Sequence, residues 1–170
     1  QVLGNLFSDF RDSFTACYRQ KNIEGMKEWA EKMNTLFTDV DRLLSCESSF
    51  SIGKWIKDAR DWGKNLKEKE YYEQNARCIL TTWGQKATQL NGWGGLTDSY
   101  YRKRWELFTQ YAIDEMSHGK EIDEKSFYNL ITEFEYQWTL QTNVYSESSG
   151  EDPIRIANLL YIKYNPYFDK

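Results

Sequence analysis

Proline is almost missing. Pro153 and Pro166 are the only two in 170 residues, and a chain so poor in the residue that breaks helix interiors suits long helices. Histidine is rarer still, with His118 alone, followed by Gly119 in a helix-ending turn. One histidine and no close cysteine pair disfavour a zinc centre. No serine lies in a GxSxG elbow, which leaves a Ser/His/Asp triad without its usual setting. Cysteines number three, Cys17, Cys46 and Cys78, with no CxxC. They read as small buried hydrophobes, with room for one disulfide at most. No apolar run reaches the length of about 18 residues needed to span a bilayer, and no charged-then-apolar leader opens the chain. The net charge is −4, with acidic and basic residues interspersed and no basic block. Neither nucleic acid nor a membrane is therefore an expected partner. The sole Gly-rich stretch, Gly92 to Gly95 around Trp93, matches no phosphate-cradling pattern. It reads as a flexible loop, and no cofactor or metal is expected. The first residue is Gln1 rather than Met, which suggests a processed chain or a piece of a longer one.

What the chain has is aromatic residues, 16% of the total with seven Trp and twelve Tyr. Such residues build heavy cores, and when exposed they stack against sugar rings. Apolar residues recur in steps of three and four along almost the whole length, which predicts helices. Leu3, Leu6, Phe7, Phe10, Phe14, Cys17 and Tyr18 mark the first, over 2–21. Asn22 is placed to cap the second, over 23–45, and the short link predicts an antiparallel hairpin. Ser49 or Ser51 caps a third helix ending at Gly63. The fourth runs over 66–83 and ends at Gly84. The fifth covers 97–118, the sixth follows a cap at Asp123 and covers 124–143, and the seventh, over 153–164, begins with Asp152 as cap and Pro153 in its first turn. No segment alternates like a strand. The expected fold is all-α, one domain over 1–170, with about seven helices in an antiparallel bundle or array.

Helix four contains YYEQNARCILTTWG, Tyr71 to Gly84. At about 100° per residue, Tyr72, Ala76, Ile79 and Trp83 share one face, which spacing alone assigns to the core. Asn75 and Thr82 lie within about 20° of each other, about 60–80° round from Tyr72. Polar groups at that boundary need partners, because an unpaired buried amide costs a few kcal/mol. A neighbouring helix, a ligand or a second domain would each serve. Glu73 reads as a flanking or salt-bridging residue rather than a general acid. Among 26 acidic residues nothing marks the carboxylate pair that glycoside hydrolysis needs.

The same residues carry a family resemblance. Tyr72, Glu73, Arg77, Thr81, Trp83 and Gly84, followed by Gly95, Leu96, Tyr100, Tyr101, Arg104 and Trp105, resemble the two motifs of the C-terminal helical domain of the α-N-acetylglucosaminidases, glycoside hydrolase family 89. Residues 52–63 and the closing KYNPYF resemble the flanking segments, so the likeness spans nearly the whole chain. The family threonine falls on Thr81, with Thr82 its neighbour. Two positions depart from the family pattern. Roughly five residues of a segment between the two motifs are missing where Leu90 and Asn91 run into Gly92 and Trp93, a place where loops vary. Lys103 stands where the family has proline.

The resemblance implies an exo-acting, retaining hydrolase that removes terminal α-linked N-acetylglucosamine from glycans such as heparan sulfate. Its two catalytic glutamates would lie on a (β/α)₈ barrel that this chain lacks, so no catalytic residue is expected here. The partners implied are that barrel on the same polypeptide and a glycan ending in N-acetylglucosamine. The domain would pack on the barrel and wall part of its cleft. Trp83 is the leading candidate for stacking on sugar, with Asn75, Tyr72 and Thr82 beside it. Arg77 is expected to hold an inter-helix or inter-domain ion pair. The setting implied is extracytoplasmic: periplasmic or secreted in a bacterium, lysosomal in an animal. A free-standing helical module that binds carbohydrate or protein is the alternative.

Overall fold

The computed structural model describes residues 2–83 and 92–168. The expected helix end at Gly84 and the shortened segment before Gly92 lie outside those residues. Seven α-helices carry the fold. They are α1 (Val2–Arg19), α2 (Ile23–Leu44), α3 (Ile52–Asp61), α4 (Leu66–Thr81), α5 (Lys103–Ser117), α6 (Glu124–Thr139) and α7 (Pro153–Tyr164). No strand occurs among the described residues; Ser51 and Gly94 make one isolated parallel bridge.

The caps explain the boundaries. Asn22 accepts the Gly25 N–H at 3.0 Å, Asp123 accepts from Lys125 and Asp152 from Ile154, each leaving one fewer orphan donor in a first turn. Ser51 caps α3 by accepting from Gly53. Asn65 and Glu68 form a reciprocal capping pair at the start of α4. Lys21, with φ of 56°, turns the chain from α1 to α2.

Apolar residues collect in two clusters. The larger joins Leu6, Phe10 and Phe14 of α1 to Met26, Met33 and Leu36 of α2, Ala112 of α5, and Ile156, Leu160 and Tyr164 of α7. The smaller holds Ile52 and Ile56 of α3, Leu80 of α4, Leu96, Tyr100 and Trp138 of α6. Described cysteines are all free thiols, and only Cys46 is fully buried.

Two connections depart from simple helix–turn–helix geometry. Thr97–Arg102 forms a π-helical lead into α5. Asp41 of α2 caps this lead from outside, accepting the Gly95 N–H at 2.7 Å and the Asp98 N–H at 2.9 Å. The second is an extended strap from α6 to α7. Ser51 donates to the Ser146 carbonyl at 2.7 Å, Ser148 donates to the Cys46 carbonyl, and the Ser149 N–H donates to the Ser45 carbonyl. Gly53 permits this closeness, since a Cβ there would stand 2.3 Å from the Ser146 oxygen.

Candidate functional site

Helix α4 turns two charged residues, Glu73 and Arg77, inward. Its buried positions are Glu73, Ala76, Arg77 and Leu80. Tyr72, Ile79 and Trp83, expected in the core, are instead exposed, Trp83 by 66%. Of the expected inner stripe only Ala76 is buried. The reason lies in what receives the charges. Arg77 donates through Nε and Nη2 to Glu73 at 3.0 and 2.7 Å, and Glu73 also pairs with Arg60 of α3. The Arg77 guanidinium lies 4.8 Å from the Trp138 ring centre and 5.3 Å from that of Tyr145. Its Nη2 reaches the Asn143 carbonyl at 3.3 Å. Nη1 has no hydrogen-bond partner, and ring faces are the attractive surroundings a cation can accept in place of one. A buried charge survives only when paired and enclosed in this way. The expected ion pair of Arg77 is present, within α4, and reaches a second helix through Glu73.

The second motif meets the first at this point. Trp138 Nε1 and the Tyr145 hydroxyl both donate to the Ser99 hydroxyl, at 3.3 and 3.1 Å. Gly95, with φ of 81°, makes the turn that admits this segment. Tyr100 is buried and its hydroxyl donates to Glu135 at 3.1 Å. Burial, with the Glu135 carboxylate beside it, holds its ionisation well above the ordinary tyrosine range. Arg104 forms an ion pair with the same carboxylate. Most of both motifs therefore builds one internal junction between α4, α6, the strap and the π-helical lead.

What the junction leaves outside is the opposite edge of α4. Asn75 and Thr82 are both exposed. Thr82 closes the helix, its backbone N–H donating to the Cys78 carbonyl. Thr81 instead turns its hydroxyl back to the Arg77 carbonyl at 2.8 Å. Tyr72 is 37% exposed, with its ring edge-to-face with that of Tyr71 at 5.7 Å. So Tyr72 and Asn75 on α4, Thr82 at its C-cap and Trp83 just beyond its end are all exposed, with the ion network on the buried face behind them. A solvent-exposed aromatic edge with amide and hydroxyl groups is suited to stacking and hydrogen bonding. His118 closes α5, with Nδ1 2.7 Å from the Asp114 carbonyl.

The family description "Alpha-N-acetylglucosaminidase (NAGLU) C-terminal domain" matches residues 1–163. The chain belongs to the alpha-N-acetylglucosaminidase C-terminal domain family. It is 29% identical over 171 residues to the alpha-N-acetylglucosaminidase of Homo sapiens, a match covering 98% of this chain and 23% of that protein. Its fold superposes on a family 89 glycoside hydrolase from Clostridium perfringens solved with PUGNAc, with a TM-score of 0.82, 29% identity, and coverage of 100% of this chain and 21% of that one. A Clostridium perfringens family 89 structure holding its substrate GlcNAc-alpha-1,4-galactose gives a TM-score of 0.79 at 28% identity, over 96% of this chain and 20% of that one. The chain thus spans about a fifth of the length of these relatives.

Within this family domain, sequence spacing missed Arg60 as the second partner of Glu73 and Asp41 as the external cap. The i, i+4 spacing of Glu73 and Arg77 signals that pair, but not Arg60, which reaches Glu73 from α3. For Asp41 nothing local gives it away, because its partners lie more than 50 residues downstream.

Proposed function

We propose that this chain is the C-terminal helical portion of an exo-acting, retaining hydrolase of terminal α-linked N-acetylglucosamine, and that it packs on a catalytic domain of the same polypeptide. The human relative is named for that activity, and a Clostridium perfringens relative has GlcNAc-alpha-1,4-galactose as its substrate. The observation that carries the reading is the exposed edge of α4. Trp83, exposed by 66%, follows directly on a helix whose inner face is locked by Arg60, Glu73 and Arg77. A rigid helix that presents an aromatic side chain makes a wall for a cleft completed by another domain. In this reading Trp83 stacks on sugar or lines the cleft, Tyr72 is a second aromatic contact nearer the start of α4, and Asn75 and Thr82 supply hydrogen bonds. Heparan sulfate is the natural glycan class and an extracytoplasmic compartment the setting.

The test is hydrolysis of an aryl α-N-acetylglucosaminide by the longer polypeptide that contains this chain, with the 170-residue chain assayed beside it. Cleavage by the former and none by the latter is expected. An inert longer polypeptide, or activity of the isolated chain, overturns the reading.

A further inference from the structure

A cleft of about 380 Å³ lies between α4 and the end of α6. Lys67, Glu70, Tyr71 and Gln74 form one wall, and Thr139 to Thr142 the other. These α4 residues sit on a different face of the helix from Tyr72 and Trp83. Tyr71 is also about 15 Å along the axis from Thr81, the last residue of α4 before the Thr82 cap and Trp83, at 1.5 Å per residue.

Polar groups without partners line this cleft. Lys67, Glu70, Gln74 and Thr142 make no side-chain hydrogen bond or ion pair among the described residues. Gln141 is engaged only by the Asn143 amide, at 3.2 Å. In two other clefts the cationic groups are taken. In the cleft between α1, α2 and α7, Lys163 and the Tyr164 hydroxyl hold Asp39, and Lys32 holds Glu28. The notch between α5 and α6 is lined by Trp105, Phe108 and Phe127, and its Arg104 is paired with Glu135. The α4–α6 cleft combines a concave surface, donors and acceptors without side-chain partners among the described residues, and a flat aromatic ring, that of Tyr71, exposed by 61%.

That combination selects the ligand class. A pyranose offers a C–H face that packs on an aromatic ring and a rim of hydroxyls that both donate and accept. Gln74 and Thr142 likewise do both, Lys67 only donates and Glu70 only accepts. The two charges are of opposite sign, so the cleft gives no preference to an acidic ligand. We propose that this α4–α6 cleft is a secondary saccharide site for a neutral pyranose unit, with Tyr71 under the ring and Gln74, Thr142 and Gln141 on its hydroxyls. The assignment follows from the lining alone. It does not depend on which bond the longer polypeptide cleaves.

The experiment is a titration of the isotopically labelled 170-residue chain with N-acetylglucosamine and with GlcNAc-alpha-1,4-galactose, read by NMR at side-chain amides. Saturable shifts at Gln74 and Gln141 are expected, with affinity on the order of millimolar, as befits a small polar ligand on an open site. Tyr71→Ala and Gln74→Ala should each weaken binding about tenfold or more, which is about 1.4 kcal/mol. Trp83→Ala should leave it unchanged. Tyr71 is exposed and Gln74 half-buried, and the backbone amide spectrum of each variant reports that the fold is intact. Shifts confined to the Asn75–Trp83 edge and lost in Trp83→Ala would overturn this site while favouring the stacking role of Trp83. No saturable shift at tens of millimolar sugar, or tighter binding of glucuronic acid than of the neutral sugars, would also overturn it.

Discussion

The Arg77 guanidinium stands 4.8 Å from the centre of the Trp138 ring, and that contact links the segments that carry the two motifs. Arg77 belongs to the first motif, and Trp138 reaches Ser99 inside the second. Removing the arginine strands Glu73, whose side chain is 2% exposed, with only the partly exposed Arg60. Breaking a buried pair from one side typically costs about 3–5 kcal/mol. Arg77→Ala should lower the denaturant midpoint by the equivalent of that loss. Arg77→Lys should recover little, because the planar fork and its stacking are lost. An Arg77→Ala chain as stable as the parent would contradict the assignment.

Asp41 makes stability depend on pH. Burial raises its pKa above 3.8, against the lowering effect of the Asp98 and Gly95 amides, while the Asp98 carboxylate adds to the rise. The native state therefore holds this proton more tightly than the unfolded chain. Its contribution is full below pH 3.8 and is lost as pH rises through the folded value. Asp98 behaves oppositely: burial raises its pKa, but hydrogen bonds from Arg102 and Thr38 outweigh that and hold it below 3.8. Its contribution is present above pH 3.8 and fades as pH falls through the lower native value. Asp41→Asn keeps an oxygen for both amides and removes the buried charge. Between pH 4 and 7 its urea midpoint should gain on that of the parent as pH rises. Asp41→Ala leaves two amides unsatisfied and should be less stable by about 1–3 kcal/mol.

Trp83 tests whether exposure has a purpose. With two-thirds of its surface in solvent, Trp83→Ala should change stability by less than about 0.5 kcal/mol. If the ring stacks on sugar when the catalytic domain is present, kcat/KM of the longer polypeptide should fall roughly two- to tenfold, the equivalent of about 0.5–1.5 kcal/mol. Thermal unfolding and steady-state kinetics on the same preparation separate the two effects.

Gly53 lies where α3 meets the strap. A methyl group there would stand 2.3 Å from the Ser146 oxygen and 2.7 Å from that of Tyr145, both backbone atoms that a side-chain rotation cannot move. Gly53→Ala should destabilise the domain by about 1–3 kcal/mol, the usual penalty of overpacking. Faster hydrogen exchange in the strap would locate the damage. Gly4→Ala, with nothing within 4 Å, is the matched control and should be neutral or slightly stabilising.

Helix count, most helix starts and three of the caps were legible in the sequence, because Asn22, Asp123 and Asp152 act locally; α6 stops at Thr139, short of the expected 143, and the expected fifth helix opens as a π-helical lead. The orientation of α4 was not. Periodicity shows that Tyr72, Ala76, Ile79 and Trp83 share a face, yet it carries no sign saying which face is inside. Here a four-residue ion pair enclosed by two aromatic rings outcompeted the aromatic stripe. Those rings come from Trp138 and Tyr145, over sixty residues away, so no window on α4 could reveal them. The candidate site was legible as a set of residues on one helix edge; the α4–α6 cleft was not, since half of it comes from α6.

The strap between α6 and α7 has a mechanical consequence. It touches the smaller apolar cluster through Tyr145 and the larger one through Ser148 at Cys46. At its ends Lys57 holds Glu147 and Arg42 holds Glu151. Peeling it away would loosen both clusters at once, so neither gains much by opening alone. A single unfolding transition, with the slowest-exchanging amides drawn from both halves of the chain, is the behaviour such a suture imposes.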